Sequence, residues 1–147
     1  MQLIDALMGE HGAFNALFDT IEKLAETSGE LAQIDSAMAV LMTEVDVHAR
    51  LEIELIFPAL ENQPGIDELF AEIQAEHEEI RRGLHRIEDA RDISEAMEAV
   101  RYAMDVARRH FEKEENVLYP MAQRALDDDA QVQLANDWAT ARHVMIA

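Results

Sequence analysis

Four histidines and two glutamates stand in a doubled order along this chain: His11, then His48-x3-Glu52, then His77, then His110-x3-Glu114. Each His-x3-Glu pair runs on to a proline at the same distance, Pro58 and Pro120, and each lone histidine follows a glutamate, Glu10 and Glu76. Residues four apart on an α-helix lie about 40° apart round the axis and about 6 Å along it. Each pair therefore aims an imidazole and a carboxylate into the same space. Neutral imidazole and carboxylate are donors for a first-row transition metal, and the order proposes a metal centre built twice by one half-chain plan.

The surrounding sequence reads as helix throughout. Apolar residues recur at helical spacing from Leu3 to Ala25, and Thr27-Ser28-Gly29 stops this first helix, with Gly29 as a left-handed cap. A second helix starts at Asp35 or just before it and runs through Val45, His48, Glu52 and Leu55 to Ala59. Asn62-Gln63-Pro64-Gly65 is a turn. A third helix begins near Asp67 and carries Phe70, Ile73, His77, Ile80 and Leu84 on one face. Asp92-x-x-Glu95 is a capping-box variant that opens the fourth, which runs through Ala107, His110, Glu114 and Leu118 to Met121. Asp127-Asp128-Asp129 breaks it and caps a short fifth segment with a Leu134, Trp138, Ala141, Met145 stripe. No stretch alternates with period 2. The expected fold is all-α: an antiparallel up-down-up-down four-helix bundle over about residues 2–126, with a short C-terminal helix over about 129–146, in a single domain spanning 1–147.

The ligand pattern gains force from where it lies. His11, His48, Glu52, His77, His110 and Glu114 each occupy the apolar stripe of a helix, and a buried carboxylate without a partner is costly. A carboxylate can bridge two metals whereas an imidazole binds one. The six therefore divide into two sets, His11 with His48 and His77 with His110, spanned by Glu52 and Glu114. Oxygen and nitrogen donors with vacant positions favour iron, with manganese or mixed metals also fitting. The ferritin-like pattern, Glu three residues before His, fails at every histidine, since those positions hold Met8, Val45, Gln74 and Ala107. His85 with Asp89 repeats the spacing of four without a matching partner in the other half, and reads as a helix-surface pair.

Composition removes other classes. The chain has no cysteine, which excludes disulfides, thiolate ligands and cysteine nucleophiles. Its 12 basic against 31 acidic residues give a net charge of −19, so neither nucleic acid nor an anionic membrane is an expected partner. The start, Met1-Gln2-Leu3-Ile4-Asp5, has no basic n-region, and runs such as 37–42 fall far short of a membrane span. A cytoplasmic location is the expectation, with monomer and homodimer both open.

The motifs GEHGAF, VHARLEIELIFP, AEHEEI and RHFEKEENVLYP, in this order, resemble the hemerythrin-like (HHE cation-binding) family over roughly Met1 to Leu126. The resemblance implies a non-haem di-iron centre inside a four-helix bundle, the two irons oxo- or hydroxo-bridged, with the same six residues as ligands. Oxygen-carrying hemerythrins have a second histidine one turn after the third-helix ligand, where this chain has Arg81. They also use an acid five residues after the fourth-helix histidine, here Glu115. The internal repeat favours Glu114, because the position matching Glu115 in the second helix is Ile53. The set looks closer to the bacterial four-His, two-Glu subgroup linked to nitric oxide response and iron–sulfur centre repair. His85, His143 and Glu115 are candidates for an extra ligand.

The function this implies is binding or reaction of O2, NO or peroxide at a His/Glu-bridged centre, in oxidative or nitrosative stress response or in iron handling. Whether the centre turns over is open. The alternatives are an O2 or NO sensing or storage module, an iron donor for iron–sulfur repair, and a metal-free helical interaction protein. Three further readings concern the surroundings. Phe14, Phe18, Phe70 and Phe111 could wall a dry pocket or simply be core, Glu44 and Tyr102 are candidate partners of the ligands, and Pro58 and Pro120 either bend their helices just past them or mark the approaching helix ends.

Overall fold

The computed structural model describes residues 1–27 and 30–146. Among them every regular element is helical: α1 (Leu3–Thr27), α2 (Leu31–Leu51), a π turn π1 (Glu52–Ile56), α3 (Phe57–Ala59), α4 (Ile66–Glu88), α5 (Ile93–Lys113), a second π turn π2 (Glu114–Leu118), α6 (Tyr119–Ala125) and α7 (Asp128–Ala141). The segments α2–π1–α3 and α5–π2–α6 each run on as one rod. With α1 and α4 they make four rods, packed α1 on α2, α2 on α4, α4 on α5 and α5 back on α1. This is the expected four-helix bundle, and α7 packs on α1 as the C-terminal addition.

Local chemistry sets most of the ends. Gly65 takes a left-handed conformation (φ 79°) just ahead of α4, the turn that Pro64-Gly65 signals. Asp92 accepts from the Glu95 amide (2.9 Å) and Asp127 from the Ala130 amide (2.8 Å), so both aspartates act as N-caps. The Glu95 carboxylate reaches back to the Arg91 amide at 3.0 Å. The second helix begins at Leu31, four residues before Asp35, and Ile34 in its first turn is already fully buried in the core. The cap read at Gly29 lies outside the described residues.

The prolines leave their mark on the turn ahead of them. Pro58 and Pro120 have no N–H for the carbonyls of Glu54 and Asn116, and their rings crowd those carbonyls. In both rods the turn ahead of the proline widens to π geometry, closed by Phe57 N–H to the Glu52 carbonyl and Tyr119 N–H to the Glu114 carbonyl. Such turns often mark functional positions in helices. Here each one starts at the glutamate of a His-x3-Glu pair.

Apolar packing forms two separate clusters along the bundle. One gathers Phe14, Phe18, Ile21, Met38, Leu41, Val45, Ile80, Leu84, Val100, Met104 and Phe111. The other gathers Leu3, Leu7, Ile56, Phe57, Leu60, Leu69, Ile73, Leu118 and Tyr119. His11 lies between Leu7 and Phe14 on α1, and His77 between Ile73 and Ile80 on α4. The helices thus carry a polar layer across the middle of an otherwise apolar interior.

Candidate metal centre

The polar layer consists of the six residues read from the repeat. Glu52 and Glu114 are 0% exposed, and His11, His48 and His110 are buried nearly as fully. His77 is the most open of the six, at 8%. His11 Nε2 lies 3.1 Å from His48 Nε2 and 3.2 Å from Glu114 Oε2. His48 Nε2 lies 3.5 Å from Glu52 Oε1, and His110 Nε2 lies 2.7 Å from Glu114 Oε1. His77 Nε2 is 3.6 Å from both Glu52 Oε2 and Glu114 Oε1.

Close approach is not the same as bonding. Glu52 Oε2, His77 Nε2, His110 Nε2 and both Glu114 oxygens are buried without a hydrogen-bond partner. Orphaned donors and acceptors of this kind are rare in folded interiors and ask for an explanation. The ligand atoms of these residues fall into two groups, each lying within 4.8 Å of one another: His11, His48, Glu52, Glu114 and Glu52, His77, His110, Glu114. Both are able to hold a metal ion, and the two glutamates are common to both. The division is the one the repeat implied.

Outer contacts orient the rings. His48 Nδ1 donates to Glu10 Oε2 (2.6 Å) and His110 Nδ1 to Glu76 Oε2 (2.7 Å). The glutamate that precedes each lone histidine thus holds the histidine of the next helix. That leaves the Nε2 lone pair facing the cluster, the arrangement common in histidine metal sites. Glu10 is braced in turn by Trp138 Nε1–H (3.0 Å) and Arg142 Nε (2.6 Å), and Glu76 by Lys113. Tyr119, fully buried, donates its hydroxyl to Glu52 Oε1 at 2.7 Å and sits 3.0 Å from His11 Nε2.

Electrostatics follow from this crowding. Burial opposes protonation of His77, but the carboxylates of Glu114 and Glu52 outweigh it and lift its pKa to about 9. His48 and His110 are raised against the same cost of burial, by Glu52 and Glu10 for one and by Glu114 and Glu76 for the other. Burial works to raise Glu114, yet the facing His11, His110 and His77 hold it well below the usual carboxylate range. Burial, with Glu52 and Glu114 adding to it, pushes the Tyr119 phenol well up, so it stays protonated and can donate.

The other sequence candidates sit elsewhere. Glu115 meets His11 from the outer side, accepting from Nδ1 at 2.9 Å, while Glu114 takes the inner place. His85 is exposed beside Glu88, and His143 is exposed in the tail with φ 55°, so neither joins the cluster. Tyr102 is also a surface residue, donating to Glu79, which corrects its reading as a partner of the ligands. Glu44 is one step removed, paired with the Arg142 that braces Glu10. Phe111 lies against His11 and Phe14 against His48, with Phe18 stacked on Phe111, whereas Phe70 packs on Phe57. Glu10, Glu76, Tyr119 and Trp138 were not read from sequence as partners of the ligands. The Glu-His doublets did mark the first two, but only the fold shows which histidine each one holds.

The model of the hemerythrin HHE cation-binding domain matches residues 2–122, and matches again over 73–143. The chain belongs to that family. No curated protein and no solved structure matches it. A hemerythrin-family bundle with paired His/Glu groups at its centre is compatible with bound metal ions, and the donor set present here, imidazole and carboxylate without thiolate, fits that chemistry. Among the described residues no helix is long and apolar enough to cross a membrane.

Proposed function

We propose that the chain is a non-haem di-iron protein that binds or reacts with O2, NO or peroxide, with His11, His48, Glu52, His77, His110 and Glu114 as the iron ligands. The observation that carries this reading is the set of buried nitrogen and oxygen atoms left without hydrogen-bond partners between two groups that share Glu52 and Glu114. Neutral side chains could close such a layer by hydrogen bonding, but these atoms face one another without doing so. Bound iron would supply open positions for a small exogenous ligand. The chain's own contribution is to fix the imidazoles through Glu10, Glu76 and Glu115, to donate a phenol hydrogen bond to Glu52 from Tyr119, and to keep bulk water out with apolar clusters on both sides.

The test is anaerobic loading with Fe(II), followed by exposure to NO, O2 or peroxide under optical observation. The proposal expects retained iron and spectra that change with the added molecule. Peroxide loss beyond stoichiometric amounts would place turnover above simple binding. Protein that retains no iron, or iron spectra indifferent to all three, would contradict the proposal.

A further inference from the structure

The repeat that builds the two half-sites breaks at three places, and each break affects the same side. Position 115 is Glu and holds His11 Nδ1, while its counterpart after Glu52 is Ile53, and His77 Nδ1 is buried without a partner. Position 119 is Tyr and bonds to Glu52 and His11, while its counterpart before Pro58 is Phe57, which has no hydroxyl to offer. Position 111, next to His110, is Phe and stacks on His11 with ring centroids 4.1 Å apart. Its counterpart next to His48 is Ala49.

A surface dent with about 10 Å³ of free volume reaches His77 between α2 and α4, bounded by Val45, Ala49, Ile80 and Leu84, with Asp46 and Arg81 at its rim. Arg81 spans the rim, with a guanidinium nitrogen 3.4 Å from Asp46 Oδ1 and a second bond to Glu78. That volume is about one water-sized probe, so only a very small molecule passes without Arg81 moving. His77 is both the least tethered of the four histidines and the most exposed.

Building on the proposed di-iron reading, we propose that exogenous diatomic ligands reach the centre through this dent behind His77 and are taken at the His77–His110 half-site, while the His11–His48 half-site is the closed, structural one. The ligand class is a neutral diatomic, because the walls are apolar and the rim is already occupied by an ion pair. Ala49 is the residue that keeps the route open, and the Arg81–Asp46 pair is its gate.

The experiment measures NO association with the iron-loaded protein by anaerobic stopped flow, with iron per chain counted for every variant. Ala49→Phe gives this side the ring the other side already has, and is expected to keep both irons while slowing association by about tenfold or more, with Arg81→Ala speeding it several-fold. An Ala49→Phe protein that retains its iron with an unchanged rate overturns the inference. Should that variant not fold, Ala49→Leu and Arg81→Ala decide it, and unchanged rates in both overturn it. Wild-type protein that takes up no iron refutes the di-iron reading itself, a result distinct from iron uptake with indifferent rates.

Discussion

Protons and a bound metal would compete for the same atoms at this site, and the direction of that competition can be read from single residues. His77 rises from 6.5 to about 9 in the metal-free fold, so its proton stabilises that fold fully below about pH 6.5 and the contribution is lost as pH climbs through 9. Glu114 is shifted the opposite way; its contribution is present above 4.5 and lost as pH falls through its depressed value. A metal must displace the imidazole protons, so apparent Fe(II) affinity, measured by anaerobic chelator competition, should climb steadily from about pH 6.5 to about pH 9. Over the same interval the melting temperature of the metal-free protein should fall. Affinity that is flat across this range would contradict the ligand roles. The six inner residues were legible in the sequence because histidine and glutamate on an apolar stripe violate the ordinary burial preference. Tyr119 was not, since a tyrosine at helical spacing reads as core until its hydroxyl is seen on Glu52.

At the scale of elements, α7 does more than pack on α1. It brings Trp138, and the Arg142 that follows it, onto Glu10, whose other oxygen holds His48. Removing both braces with Trp138→Phe and Arg142→Met should weaken binding of one metal ion by about tenfold, within the range typical of outer partners, and leave the other unchanged. A two-site titration of the double variant checks this, and equal weakening of both sites would sink the idea. Helix number, order and the Asp92 and Asp127 caps were legible because periodicity and capping are local signals. The start at Leu31 was less so, because the burial of Ile34 in the apolar core is a tertiary fact rather than a local signal. The π turns were half legible. Pro58 and Pro120 announced a disturbance, but not that the turn ahead of each would widen to π geometry at the glutamate.

Seen whole, the molecule spends its interior on two apolar clusters separated by a charged layer, an arrangement that is costly unless something binds the layer's atoms together. The duplicated half-chain plan makes the layer almost symmetric, and the family match that recurs over 73–143 is in keeping with that duplication. The breaks at Ile53, Phe57 and Ala49 were present in the sequence all along. They gained meaning once the fold showed their counterparts Glu115, Tyr119 and Phe111 crowded round His11. The most direct test of the account is iron per chain after anaerobic loading and desalting, for the wild type and for Glu114→Ala. Glu114 belongs to both groups of ligand atoms, so the account predicts two irons in the wild type and loss from both positions in the variant. Wild-type protein without iron, or a folded Glu114→Ala protein that still holds two, would contradict it.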